Sequence, residues 1–389
     1  MTAVGEKRAI KENSVCIVTT VHSPFDTRIF HKEAKTLVKA GYDVTLIVQH
    51  DRDEVVDGVK IIPLSKPGNR FTRIFGLTWR AFRLALRQKA NIYHFHDPEL
   101  LLVGVALKLL TKGKVIYDVH EHYPNAIMSK YWIPKPTRLI VSGIFRLQEF
   151  LLVPLLDAVI YTTPIVGERY KRMRVQSVRV ENLPLLEMFE GIDAVGHKAN
   201  SNVMIYSGGM ARIRGVIELI EAFAIVKGKH PDLSLYLVGG FSPKSFGESI
   251  RSLIIKLGIK EEVKLIPPVP YDKVKNYLSR ASIGIVTYLP YPNNMSCLPN
   301  KLFEYMACGL PIVASDFPLY REVIEDADCG KLVDPRNPMD IASAIEELLE
   351  NPEEWETMSQ NGCSSFRNKY NWHGEEKKLL DLYEQLTDF

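Results

Sequence analysis

The stretch PNKLFEYMACGLPIVASD, residues 299–316, decides how the rest of the chain is read. Pro299 disfavours helix just before it, NKLFEYMAC then reads as a helix, and Gly309 supplies the stop. Leu310 and Pro311 lead into IVASD, a short apolar run with the look of a buried strand. A helix that feeds directly into a buried strand is part of a β-α-β unit, the building block of parallel sheets covered by helices on both faces.

The same alternation continues outward in both directions. The first half offers strand candidates at 15–21 (VCIVTTV), 44–49, 59–64, 92–97 (IYHFHD), 114–119 (KVIYDV) and 158–163. The second offers 202–208 (NVMIYSG), 233–240 (LSLYLVGG), 263–269, 283–288, 311–316 and 330–334, with helical stretches between most of them. The fold class expected is therefore α/β, with two doubly wound, Rossmann-like domains facing across a cleft. The polar, loop-like composition between Asn182 and Asn202 marks the join. We place an N-terminal, acceptor-side domain at 1–185, a linker at 186–200, a C-terminal domain at 201–370, and a last helix at 371–389 that crosses back to the N-terminal domain. In such sheets ligands bind beyond the carboxyl ends of the strands, so the functional residues are sought in the loops there.

The totals exclude several classes. Lys plus Arg number 49 against 46 for Asp plus Glu, too even a balance for a nucleic-acid-binding field. Five cysteines without a CxxC pair fit a reducing compartment, and the polar start MTAVGEKRAIKENS has no secretion-signal core, so a cytoplasmic location is expected. The most apolar stretch, Leu139 to Ile160, is broken by Arg146, Glu149 and Asp157, which argues against a spanning helix. TTVHSPFDTRIF, the first strand-to-helix turn, lacks GxGxxG and so speaks against an NAD enzyme.

The helix start at Asn300 presents free backbone N–H groups and a positive dipole end, a natural seat for phosphate. Glu304, one turn in, can accept from both vicinal hydroxyls of a ribose, or alternatively form a buried pair with Lys301 or Arg321. Asp26 and Arg28 follow the first strand and are placed for acceptor or phosphate contacts, although Asp26 could equally cap the helix that begins near Arg28. His94 and His96 point to one side of a strand, with His120 and His122 after the next. Such a cluster suits a metal or a set of hydrogen-bonded structural histidines. Asp51–Asp53 and Asp326–Asp328 form short DxD-like strings of little weight. In RFTRIFGLTWRAFRLALRQK, Arg73, Arg80, Arg83 and Arg87 share one helical face, so peripheral attachment to an anionic membrane competes with a solvated helix packed on its own sheet.

Together, TVHSPFDTRIFHKEAKTLVKAGYDVTLI (20–47), HFHDPELL (94–101), YDVHEHYP (117–124), SGGMARIRGV (207–216), YLVGG (236–240) and PNKLFEYMACGLPIVASD resemble the family 4 retaining glycosyltransferases, which adopt the two-domain GT-B fold. The resemblance implies sugar transfer from a UDP- or GDP-sugar to a hydroxyl acceptor on a lipid-linked or polysaccharide precursor. It implies that Gly208, Gly209 and Gly239 admit the diphosphate, and that Arg214 stands where the family has the Lys of a KG pair. Arg212, Lys301 and the helix start through Leu302 would add to the same site, and Glu304 would hold the ribose. His120 matches the residue that faces the donor sugar, while Asp26, Arg28 and His96 fall on the acceptor side. One position departs from the pattern: Ser296 replaces the first of two glutamates eight residues apart, leaving the backbone around Cys297 and Leu298 to contact the sugar. No cofactor or metal is expected, because the family stabilises its leaving group with basic side chains and a helix end. A non-hydrolysing sugar-nucleotide epimerase and a catalytically silent nucleotide-sugar binder remain open as alternatives.

Overall fold

The computed structural model describes residues 13–66, 68–69, 76–130, 133–192 and 201–387; Arg73, His197 and most of the segment 186–200 lie outside the described residues. The chain divides into two compact units, Met1–Asn182 with Gly374–Phe389, and Leu183–His373. The divisions fall at Asn182/Leu183 and His373/Gly374, where the sequence reading set 185 and 371.

The first unit is built on an eight-stranded sheet. Its strands are β1 (Ser14–Val18), β2 (Asp43–Gln49), β3 (Glu54–Val56), β4 (Val59–Leu64), β5 (Ile92–Phe95), β6 (Lys114–Val119), β7 (Ala158–Tyr161) and β8 (Gln176–Arg179). They are ordered β3-β4-β2-β1-β5-β6-β7-β8. Every pairing is parallel except β3 with β4, a hairpin closed by Asp57 and Gly58, both at positive φ. The central strands are buried along nearly their whole length, as runs such as VCIV and AVIY require when helices cover both faces. Because β1 pairs with β2 on one side and β5 on the other, connections leave in opposite directions and the loops after β1 and β5 part. The C-terminal helix Trp372–Thr387 runs across the unit boundary; its Tyr383 is fully buried in the first unit, with its hydroxyl 2.8 Å from His94 Nδ1.

The second unit holds β9 (Val203–Ser207), β10 (Ser234–Val238), β11 (Val263–Ile266), β12 (Ile283–Val286), β13 (Ile312–Ser315) and β14 (Gly330–Val333). All pair in parallel in the order β11-β10-β9-β12-β13-β14. Here the crevice-forming reversal lies between β9 and β12. Each unit has its own core, centred on Ile205, Phe223, Ile285 and Met306 in the second and on Cys16, Tyr93, Tyr117 and Val159 in the first. Among the described residues no helix is long and apolar enough to cross a membrane.

Candidate functional site

In the second unit the chain leaves β9 through Gly208 and Gly209 and leaves β10 through Gly239 and Gly240. Gly208 and Gly239 both have positive φ, 111° and 146°. A Cβ on Gly239 would stand 2.0 Å from the Gly208 carbonyl oxygen, so the two turns touch backbone to backbone and no side chain fits between them. On its open side Gly208 faces Lys301: an added Cβ there would meet Lys301 Nζ at 3.5 Å.

Lys301 is the second residue of the helix Asn300–Ala307 and is buried. Its Nζ has no hydrogen-bond partner and lies 3.4 Å from the Tyr206 ring centre and 5.2 Å from that of Tyr288. Burial pushes its pKa well below the ordinary lysine value, and the charge of Arg214 pushes in the same direction. The Arg214 guanidinium stacks over Tyr288 at 4.2 Å. Two cationic side chains are thus gathered beside a glycine turn, at the carboxyl end of β9, with aromatic rings as their partners.

The remaining donor-side residues fall as follows. Arg212 forks onto Glu218 with bonds of 2.9 and 2.7 Å, so its guanidinium is engaged by a carboxylate and half exposed, unlike that of Arg214. Glu304 is buried and its Oε1 accepts from the Tyr271 hydroxyl at 2.9 Å, whereas Arg321 pairs with Asp316 and Glu325. Leu302 has its side chain wholly in the core, and its amide donates to the Pro299 carbonyl at 3.1 Å. Ser296 is buried, donating to the Pro292 carbonyl at 2.8 Å with a second contact to that of Asn293 at 3.2 Å. Cys297 Sγ lies 3.8 Å from the Asn294 carbonyl, and Leu298 packs partly buried on the core. Sequence reasoning missed Tyr206, Tyr288 and Asn294. The Asn294 amide donates to the carbonyls of Ile213 and Leu289 at 2.8 and 2.9 Å, which ties the Ser296 loop to the backbone beside Arg214.

The first unit carries a separate polar cluster at its own strand ends. Asp26 caps the helix Thr27–Ala34, accepting from the amides of Arg28 and Ile29 at 2.9 and 3.0 Å, and also pairs with His22 at 3.3 Å. The cap reading is therefore the geometry found. Arg28, expected to reach acceptor or phosphate, is instead turned inward and buried: it lies 2.8 Å from both Asp118 and Glu33 and donates to the Val180 carbonyl.

His94 and His96 do share a face, with ring centres 4.5 Å apart, and His96 Nδ1 lies 3.0 Å from His120 Nε2. Burial holds His96 well below the usual histidine value and lowers His120 to about 3, so both are neutral near pH 7. Glu33 moves the other way: burial raises its carboxyl well above the carboxylate range, against the pull of Arg28. Asp118 stays ionised, since Arg28 and the histidines more than offset its burial. Glu33, His94, His96 and Asp118 bring ligand atoms within 4.8 Å of one another, a donor set able to hold a metal ion. In this arrangement the Arg28 guanidinium already supplies a positive charge to both carboxylates. Asp97, next along, accepts from Thr19 and Thr20. The DxD-like strings are surface features, Asp326 accepting from Lys369 and Tyr370.

Comparison with known proteins decides the family. The model for glycosyl transferases group 1 matches residues 189–364, and that for Glycosyltransferase Family 4 matches residues 27–184. The chain belongs to glycosyltransferase family 4. Among curated relatives, D-inositol 3-phosphate glycosyltransferase of Thermobispora bispora is 24% identical over 200 residues, covering 50% of this chain and 45% of that protein. Its counterpart from Acidothermus cellulolyticus is 23% identical over 273 residues, covering 67% and 58%. The match thus spans about half the length of such relatives. Among solved structures, sucrose-phosphate synthase from Thermosynechococcus elongatus superposes with a TM-score of 0.78 at 18% identity, covering 97% of this chain and 99% of that one. Anabaena HepE in complex with UDP and glucose gives 0.73 at 14%, covering 96% and 99%. These likenesses show that this family 4 glycosyltransferase has the GT-B fold, with two Rossmann-like domains.

Proposed function

We propose that this family 4 glycosyltransferase moves a sugar from a nucleoside diphosphate sugar, UDP- or GDP-linked, to a hydroxyl acceptor with retention at the anomeric carbon. The observation that carries the reading is Lys301: a buried ammonium with no hydrogen-bond partner, beside Arg214 and open to a glycine turn. A buried cation without an acceptor is costly, and a diphosphate supplies the missing charge and hydrogen bonds. HepE, solved with UDP and with UDP-glucose, supports the donor class. As the bond to the sugar breaks, Lys301 and Arg214 take the charge that builds on the departing phosphate. That phosphate accepts the acceptor's proton on the same face, so no side-chain nucleophile is needed. Glu304 receives the ribose hydroxyls, the backbone near Cys297 and Leu298 reads the sugar in place of the glutamate absent at Ser296, and the family resemblance assigns His120 to the donor sugar. A lipid-linked or polysaccharide precursor is the acceptor class proposed.

Thermal denaturation of the chain with UDP, GDP, ADP and their sugars tests this. One diphosphate series should raise the melting temperature, since ligand at about 100 times Kd adds about 2.7 kcal/mol. Mass spectrometry with glycan acceptors then separates the classes. A new glycoside confirms transfer, conversion of the donor without acceptor means an epimerase, and binding without product under any acceptor means a silent binder. No shift with any nucleotide overturns the reading.

A further inference from the structure

The helix Lys135–Leu152 is amphipathic the wrong way round. Taken at 100° per residue, Leu139, Ile140, Ile144, Leu147, Phe150 and Leu151 occupy an arc of about 140°. All six face water, at 58 to 71% exposure. The opposite side carries Arg138, Ser142 and Glu149, and these three are fixed to the protein. Arg138 donates to the carbonyls of Met128 and Ile133, Ser142 donates to that of Pro124, and fully buried Glu149 accepts from Arg169 and Tyr170. A helix that buries Glu149 and turns its leucines to water exposes apolar surface that costs about 25 cal/mol per Å² until it is covered.

The face does not end with that helix. Leu102, Leu109 and Leu110 of the helix Leu101–Leu110 are exposed by 61 to 75%, and Trp79 of the helix Thr78–Gln88 by 60%. Between the three helices lies a largely apolar groove of about 570 Å³, walled by Trp79, Phe82, Leu102, Val103 and Phe145, with Glu99 and Gln148 also on its lining.

Charge identifies what covers it. The three helices contain seven basic residues, Arg80, Arg83, Arg87, Lys108, Lys135, Arg138 and Arg146, and one acidic residue, Glu149, which is the buried one. Arg80, Arg83, Arg87 and Arg146 are exposed. A second copy of this chain docked face to face would set arginines against arginines. An anionic bilayer surface complements both features at once, apolar chains for the leucines and phosphates for the arginines, with the tryptophan at the interface level. We infer that the first unit docks on anionic membrane through the exposed arc of Lys135–Leu152, with the arginine row of Thr78–Gln88 as its electrostatic flank. This assignment does not depend on the transfer reaction.

The test is sedimentation of the full chain with sucrose-loaded vesicles, either phosphatidylcholine alone or an equimolar mixture with phosphatidylglycerol. At about 1 kcal/mol per basic residue near the surface, the anionic vesicles should bind more than about tenfold better, and added salt should erode the difference. Ile144→Glu with Leu147→Glu should cut binding to anionic vesicles by more than about tenfold while leaving the melting temperature and any nucleotide binding unchanged. Arg80→Glu with Arg83→Glu should remove most of the anionic preference. The inference is overturned if the wild-type chain stays in the supernatant with anionic vesicles, or if the Ile144/Leu147 variant sediments as the wild type does. It is also overturned if light scattering shows a dimer that this variant turns into a monomer.

Discussion

Glu304 and Tyr271 offer the sharpest separation between packing and chemistry. The Tyr271 hydroxyl needs an acceptor, and an amide oxygen serves as well as a carboxylate oxygen, so Glu304→Gln leaves that bond in place. Ribose recognition is different, because it draws on an ionised acceptor-only group. The variant should therefore melt within a degree or two of the wild type yet lose about tenfold or more in donor kcat/KM, the scale of one charged hydrogen bond; unchanged kinetics would remove Glu304 from the ribose. His120 supports a second prediction. Its value is lowered to about 3 from 6.5, so the native state favours the neutral ring. Its contribution is complete above pH 6.5 and lost as the pH falls from there toward about 3, because the unfolded chain binds the extra proton. His22, whose value is raised, has the opposite sign, which makes the single variant decisive. His120→Asn should flatten the fall in melting temperature between pH 6.5 and 4; an unchanged slope would contradict the assignment. At this scale the sequence disclosed residue types better than orientations. Nothing in DTRIF tells that Arg28 turns inward: Glu33 lies five residues on in the same helix, but the partner that completes the pair, Asp118, comes from a strand ninety residues away. Tyr206 and Tyr288 read as strand and strand-end residues, and only the fold reveals that their rings frame Lys301.

At the level of elements, the crossing of the turns after β9 and β10 is the feature most sensitive to change. Gly239→Ala would place its methyl carbon 2.0 Å from the Gly208 carbonyl oxygen, at a φ that other residues avoid. We expect a loss of about 1–3 kcal/mol or more in stability together with weakened nucleotide binding, read by chemical denaturation and titration. A neutral outcome would show that the two turns are not packed as described. The long parallel strands were legible because β-branched apolar runs of four to seven residues between helices admit few other readings. β3 and β8 escaped for the converse reason. EVV is held only by a three-residue antiparallel hairpin at an edge, and QSVR is a polar edge strand whose identity depends on its neighbour. The helix Lys135–Leu152 was visible as an apolar stretch, but which of its faces meets water is decided by where Glu149 finds Arg169, a partner twenty residues away.

For the molecule as a whole, each domain is wound about its own reversal point, and each gathers polar chemistry where its strands end. The two collections differ in electrostatic character. In the first domain Arg28 lies between Asp118 and Glu33, and burial keeps His96 and His120 beside them neutral. In the second, Lys301 and Arg214 face aromatic rings and a glycine turn, and Lys301 has no acceptor of its own. The second set is therefore the one built to receive an anion, and the account stands on that difference. Calorimetric titration of UDP, or of GDP if thermal denaturation selects it, into the wild-type chain and into Lys301→Met tests it most directly. The account predicts saturable binding to the wild type and affinity about 10 to 100 times weaker in the variant. Equal affinity in both proteins, with the variant folded, would contradict it.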